Sequence, residues 1–552
     1  MDRRVGYYAG VSAKIPDVFS RLTAPVADVA AAMKVLTRSG LVSPVRPDRL
    51  LGMGLSFGRW GFSPAAAYAA GAARDPQRIA VIDERESVTY AEIDRRSTSV
   101  AHALADRGVH VGDSVALLAR NSAAFVVAQA AISKLGADTL YLNTGFAGPQ
   151  LGDVLQAEGA SAIVVDHEFV PLLDEVAKDL PHLIGFSDEK PSDTIDAIGR
   201  ETTPELPPPG RDGRHIILTS GTTGRPKGAA RSAPGALAGL VEMVAILEAI
   251  PYKARGVTML AAPAFHAWGL ANLTIAMGLQ STLVMSRRFD PARTLELVQR
   301  HRADTLVAVP VMVQRILELP DNDRHRYDTS SLRAVALSGS ALPPTLATRF
   351  MNEFGDVLYS LYGSTEVAYV SVAGPSDLRA APSTAGRLVR GVQVRLVDDD
   401  GNDTSPGETG RIFAGSAMTF EGYTSGEDKD RLGNLTSTGD VGRFDEEGRL
   451  FVEGRDDDMI VSGGENVFPA EIEDCLHQHP DVADAAVVGV TDERFGQALV
   501  AHVVLRDGGK ASSDELRSHV KRQLANYKVP REIVLHDELP RNETGKVLKR
   551  SL

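Results

Sequence analysis

A chain of 552 residues is too long for one ordinary hydrophobic core and points to two to four packing units. Its composition, 43% hydrophobic and 24% charged, is that of a globular protein and excludes a disordered or fibrous one. A net charge of -13 without a dense Lys/Arg block argues against a general nucleic-acid binder, and the single cysteine, Cys475, excludes an intrachain disulfide and a thiolate metal cluster.

The first 62 residues read as a leader. "MDRRVGYYAG" is followed by no apolar stretch of signal-peptide type, so a secretory signal is not expected. No run of about 18 apolar residues occurs, which argues against an ordinary membrane span, and the cysteine usage suits the cytoplasm. Val26, Val29, Ala30, Met33 and Leu36 fall on one helical face. Lys34, Arg38, Arg46, Arg49 and Arg59 accompany the run "LLGMGLSFGRW". Two roles stay open: a helical arm packed on the body, or a peripheral membrane contact.

From "SVTYAEIDRRS" onward, short apolar runs alternate with helical stretches. "DSVALLAR", "ASAIVVDH", "HIILTS", "TLVAVP" and "LRAVALSG" read as buried strands, and "AAFVVAQAAISKLGA" as a helix between two of them. This alternation predicts an α/β body with largely parallel sheets, whose ligands lie at the carboxyl ends of strands. Near residue 385 the pattern changes to hairpins, in "VQVRLVDDDGNDTSPGETGRIFAG" and "RFDEEGRLFVEGR", which predicts a β-rich subdomain. After "GRDDD" a further unit begins, with helices at "PAEIEDCLHQH" and "SSDELRSHVKRQLANY" around two strands. Ser512 and Glu515 have capping-box spacing, and Cys475 reads as a packed thiol. The expected division is a leader over 1–62, a large domain over 63–454 with its β-rich part from about 385, a hinge at 455–458, and a small mobile α+β domain over 459–552.

The most informative stretch is "TSGTTGRPKG", Thr219 to Gly228, at the end of an apolar strand. A Walker-type loop needs glycine-lysine followed by Ser or Thr at fixed spacing. Here Gly221 and Gly224 are wrongly spaced and Gly228 follows Lys227, so a P-loop NTPase is excluded by that rule. A flexible loop of hydroxyls and backbone N–H groups that wraps a polyphosphate remains, with Lys227 as a point charge. "SGSALP", "SLYGSTEVAY", "STGD", "SGGEN" and "PRNETGK" follow in order. An aromatic, a glycine, two hydroxyls and a carboxylate in "YGSTE" can stack a base, approach a phosphate and hold a divalent cation.

This ordered series resembles the adenylate-forming superfamily, which includes acyl-CoA synthetases, peptide-synthetase adenylation domains and luciferases. It is most similar to bacterial fatty-acyl-CoA synthetases over roughly residues 63–552. The resemblance implies that a carboxylate attacks the α-phosphate of Mg-ATP to give acyl-adenylate and pyrophosphate. The thiol of coenzyme A then displaces AMP. Thr219, Ser220, Gly221, Thr222, Thr223, Gly224 and Lys227 would hold the β- and γ-phosphates. Gly339, Ser340 and Ala341 would wall the adenine and the acyl chain. Tyr362 would stack on adenine beside Gly363 and Ser364, Thr365 would bond the α-phosphate, and Glu366 would hold Mg2+. Asp440 would grip the ribose with Arg455 beside it, and Lys546 would bridge the carboxylate and the α-phosphate. Asp457 would be the hinge, where family members often carry lysine. Gly463 and Gly464 would leave a pantetheine tunnel open.

His266, in "PAFHAWG", falls where the family carries an aromatic or histidine near the acyl and thiol channels, while Trp268 reads as packing. ATP, Mg2+ and coenzyme A are the implied cofactor and co-substrates. The implied substrate is a fatty or related apolar acid. Loading of a carrier protein in trans is the alternative to coenzyme A, and a homodimer is one open oligomeric outcome.

Overall fold

The computed structural model describes residues 32–552 apart from 190–192, 221–225, 233–235, 399, 406, 427, 456–458, 493, 507, 541–546 and 548. Four sheets organise the described residues. In the nine-stranded sheet the strands Leu358–Tyr362, Ala334–Leu337, Thr305–Ala308, Val257–Leu260, Thr282–Met285 and Ile79–Ile82 are neighbours in that order, all parallel. The seven-stranded sheet carries His215–Ser220, Asp138–Tyr141, Ser114–Leu118, Ala160–Val165 and His182–Ile184 in parallel. Strand and helix alternate through both, as the sequence periodicity predicts.

Every residue of the helix Ala123–Lys134 is buried. Apart from Gln129, Ser133 and Lys134 it is apolar, so it belongs inside the body rather than on its surface. Ser122 caps it by accepting from Phe125 N, and Thr89 and Glu92 form a capping box at the start of Tyr90–Asp106. Phe125, Val127, Val115, Leu260 and Leu283 share one core, which joins residues from both large sheets.

The hairpin-rich region forms a five-stranded antiparallel sheet from Gln393–Val397, Gly410–Gly415, Arg431–Leu432, Leu435–Phe444 and Leu450–Arg455. The last sheet pairs Val482–Asp492 with Gly496–Leu505 along their whole length. Here Glu532–His536 adds a parallel strand that the sequence pattern does not announce. Ser512 and Glu515 complete the predicted capping box. Cys475 is buried in this domain's core, and burial pushes its thiol up to about 11.

In the leader, the helix Pro47–Trp60 lies on Pro64–Arg74. Trp60 is buried, and a Cβ on Gly52 would come within 3.1 Å of Ala73 Cβ. Arg49 donates to the Arg74 carbonyl and Arg59 to Glu205. The leader is thus a packed arm over these residues, although Leu50, Leu51 and Leu55 stay exposed. Of the predicted apolar face, Val26, Val29 and Ala30 lie outside the described residues. Among the described residues no helix is long and apolar enough to cross a membrane.

Candidate active site

The strand His215–Ser220 does not lead into a helix. It turns back into Pro226–Arg231, antiparallel, with Thr219 opposite Lys227 and Ser220 opposite Pro226. The strands on either side of the glycine-rich stretch are thus an antiparallel pair, a different construction from the strand–loop–helix of a P-loop. Gly221, Thr222, Thr223 and Gly224 lie outside the described residues, while Lys227 is described and buried. Gly422–Tyr423 adds to this hairpin, pairing Tyr423 with Ala229. The Lys227 ammonium lies 5.8 Å from the centre of the Tyr423 ring.

Tyr423 joins this hairpin to "YGSTE". Its hydroxyl donates to Glu366 Oε1 at 2.6 Å, and Ser364 Oγ donates to Oε2 at 2.8 Å. Burial and the adjacent carboxylate of Glu366 both push the Tyr423 phenol far above its usual range. Gly363 is required sterically, because a Cβ there would meet the Ala368 carbonyl at 2.1 Å. Glu366 is buried, and the Thr365 carbonyl accepts from the guanidinium of Arg231 at 2.8 Å.

Tyr362 turns toward the β-rich sheet, where its hydroxyl donates to Asp440 Oδ2 at 2.6 Å and lies 3.2 Å from Thr438 Oγ1. Burial, then the Asp440 carboxylate, raise its phenol. Asp440 and Arg455 sit opposite each other on paired strands, with Nη1 of Arg455 2.8 Å from Oδ1 of Asp440. Tyr362, Asp440 and Arg455 thus form one connected group, although the sequence spreads them over 94 positions.

The small domain meets this surface with its "SGGEN" loop. Gly463 and Gly464 have φ of 61° and 91°, a conformation that suits glycine. A Cβ on Gly464 would lie 3.9 Å from the Gly339 carbonyl and 4.0 Å from Val309 Cβ. Gly339 itself has φ of 91°, and Ser340 and Ala341 follow it at the end of Ala334–Leu337. Next to the glycines, Glu465 Oε1 lies 2.8 Å from His266 Nε2, and Asn143 Nδ2 donates to the same carboxylate at 3.3 Å. Burial lowers the basicity of His266, but the Glu465 carboxylate overrides it and leaves the imidazole above its ordinary range. Glu465 moves the other way: burial raises it, and His266 brings it below the usual range. Trp268 is buried and donates to the Ala308 carbonyl at 3.0 Å, a packing role as expected.

The structure thus brings Thr219, Lys227, Tyr362, Gly363, Ser364, Thr365, Glu366, Asp440 and Arg455 into one linked region, and Gly339 to Ala341, Gly463, Gly464 and His266 into an adjoining one. Asp457 and Lys546 lie outside the described residues. Tyr423, Arg231, Asn143 and Glu465 carry contacts that the sequence reading did not assign. For Glu465 a signal was present, since it stands inside the quoted "SGGEN". Tyr423 and Asn143 lie in no motif of that series.

The family described as AMP-binding enzyme matches residues 68–424, and its C-terminal domain matches residues 471–546. The chain is an AMP-binding enzyme. This adenylate-forming chain is 34% identical over 492 residues to an indoleacetate–CoA ligase of Aromatoleum aromaticum (strain DSM 19018 / LMG 30748 / EbN1), covering 86% of this chain and 94% of that protein. It is 30% identical over 497 residues to the fatty acid–[acyl-carrier-protein] ligase ScoC of Streptomyces coeruleorubidus, covering 87% and 94%. Among solved structures, it is similar to a double mutant of o-succinylbenzoate CoA synthetase (MenE) from Bacillus subtilis bound with the product analogue OSB-NCoA. There the TM-score is 0.78 at 28% identity, over 88% of this chain and 98% of that one. The AMP-binding enzyme is accordingly an AMP-forming acid–CoA ligase by family, with the mixed α/β body and small C-terminal domain of acyl-CoA synthetases.

Proposed function

We propose that this AMP-binding enzyme activates an apolar carboxylic acid, a fatty acid or an aromatic acid of similar polarity, and passes the acyl group to coenzyme A. In the first half-reaction the acid's carboxylate oxygen attacks the α-phosphorus of ATP, and the bond to pyrophosphate breaks. In the second, the coenzyme A sulfur attacks the acyl carbon and AMP leaves. Two anions must approach in the first step, so their repulsion has to be screened in a site that excludes water.

The observation that carries this reading is the meeting of Gly464 with Gly339 and of Glu465 with His266, immediately beside the Tyr362–Asp440–Glu366 region. A glycine loop from the small domain standing over the acyl wall suits entry of a narrow pantetheine arm. Asp440 with Arg455 would hold the ribose, Thr365 the α-phosphate, and Lys227 with Thr219, Ser220 and the loop 221–224 the pyrophosphate portion. Lys546 would replace the glycine loop when the small domain turns about Asp457, joining carboxylate and α-phosphate. A domain that supplies different residues to two half-reactions needs such a turn.

Glu366 fits Mg2+ that arrives with ATP: one buried carboxylate, already oriented by Tyr423 and Ser364, is the usual protein share of a site completed by phosphate and water. Bound there, the ion would neutralise charge on the phosphates. The helix Ala267–Gly278, which follows His266, carries no charged residue, and this supports an apolar acid.

A second reading, the same adenylation with a carrier protein as acceptor, is favoured by the resemblance to ScoC. A panel of acids from acetate to long-chain, aromatic and amino acids, assayed for AMP release with and without coenzyme A, tests both. Release stimulated by coenzyme A with apolar acids is expected. Release that ignores coenzyme A, or that selects amino acids, overturns the first reading.

A further inference from the structure

Arg231 lies in the strand that returns from the phosphate hairpin, four residues beyond Lys227, and no role is assigned to it above. One of its terminal nitrogens donates to the Thr365 carbonyl at 2.8 Å, while its Nε is buried without a hydrogen-bond partner among the described residues. Two carboxylates favour its charge, Glu366 and Glu242. Glu242 belongs to the helix Ala236–Ala249, and its Oε2 is the one carboxylate oxygen that is buried and unpartnered among the described residues. No ion pair within 4.0 Å joins Arg231 to Glu242. Burial drives Arg231 down to about 10 and Glu242 up to about 7, each opposed by the other's charge.

A cation held in so dry a place is costly unless something anionic completes its surroundings. Glu366 does so incompletely, because both its oxygens already accept from Ser364 and Tyr423. The guanidinium also fixes the backbone of Thr365, the residue read above as the α-phosphate ligand.

We propose that Arg231 is a positioning residue for the nucleotide's α-phosphate, which it serves by clamping the Thr365 carbonyl and by lending a buried positive charge beside that loop, with Glu242 as its distant counter-charge. This rests on the proposed role of Thr365 as an α-phosphate ligand. A preoriented donor and charge act strongly where water is excluded, and need no reorganisation when the anion arrives. The role differs from that of Lys227, four residues earlier on the same strand, whose ammonium lies 5.8 Å from the centre of the Tyr423 ring.

Calorimetry of AMP and of adenosine on the full chain tests the inference without knowledge of the acid. The variants are Arg231→Lys, Arg231→Met and, because a lone buried Glu242 endangers folding, Arg231→Met with Glu242→Gln. Arg231→Met and the double variant are expected to weaken AMP about 10-fold or more, the range of a charge-assisted hydrogen bond. Adenosine, which lacks the phosphate, should change less than about 2-fold, and Arg231→Lys should recover AMP binding to within about 3-fold. Equal weakening of AMP and adenosine would mark a merely structural arginine and overturn the proposal. Unchanged AMP binding in the double variant would overturn it too. Failure of the wild-type chain to release AMP with any acid would instead overturn the proposed function, and the calorimetry stands apart from it.

Discussion

His266 Nε2 and Glu465 Oε1 are 2.8 Å apart although 199 residues separate them, and they bind the small domain to the large one. The imidazole is raised from its ordinary value of about 6.5, so its contribution to docking is full below that pH and is lost as pH rises through the raised value. The carboxylate is lowered, so its contribution is present above about 4.3 and is lost only as pH falls through the lowered value. Docking measured by energy transfer between labels on the two domains is therefore expected to be greatest near pH 5 to 6 and to weaken toward pH 9. Glu465→Gln should flatten that dependence, and an unchanged slope would remove the pair from control of docking.

Asp440 holds Tyr362 and Arg455, and its proposed role adds the two ribose hydroxyls. Loss of two ligand hydrogen bonds to a carboxylate is worth about 2 to 4 kcal/mol, so Asp440→Ala should weaken ATP roughly 30- to 1000-fold by calorimetry. A change below about 3-fold would leave Asp440 a structural turn residue.

Gly464 has a left-handed backbone and faces the Gly339 carbonyl. Gly464→Leu is expected to strain the loop and obstruct the passage, cutting thioester formation from supplied acyl-adenylate at least about 10-fold while leaving ATP–pyrophosphate exchange within about 3-fold. Full retention of thioester formation would deny the passage its place there.

Lys546→Ala should abolish ATP–pyrophosphate exchange but largely spare thioester formation from supplied acyl-adenylate. Lys227→Ala should reduce exchange less severely, because a leaving-group contact is one of several. If the two variants were equally damaging to exchange, the proposed division of labour between the two lysines would fail.

Lys528 and Glu471 form a buried ion pair inside the small domain, and Gln150 of the large domain donates to the same carboxylate at 3.2 Å. Lys528→Met strands a buried carboxylate and should destabilise the chain by about 3 to 5 kcal/mol in urea unfolding. Adding Glu471→Gln should recover most of the loss. A Lys528→Met protein as stable as the wild type would show that the pair contributes little.

The sequence by itself determined the alternation of strands and helices, the hairpin-rich region, the capping box at Ser512 and Glu515, and the order of the nucleotide-site motifs. Each of these depends on residues close together in the chain: period-2 and period-3.6 patterns, turn residues and caps act within a few positions. The candidate site residues Glu366, Asp440 and His266 were singled out for the same reason, since short motifs surround them. The added parallel strand Glu532–His536 was not legible, because parallel pairing is set by a distant partner rather than by local pattern.

Only the tertiary structure decided that the strands flanking the glycine-rich stretch pair antiparallel, that Tyr423 orients Glu366, and that Arg231 reaches the Thr365 carbonyl 134 positions away. It also set the small domain's glycine loop against Gly339 and its Glu465 against His266. These are long-range contacts, fixed by how sheets and domains pack, and hydrogen bonds across such distances leave no periodic trace in the chain.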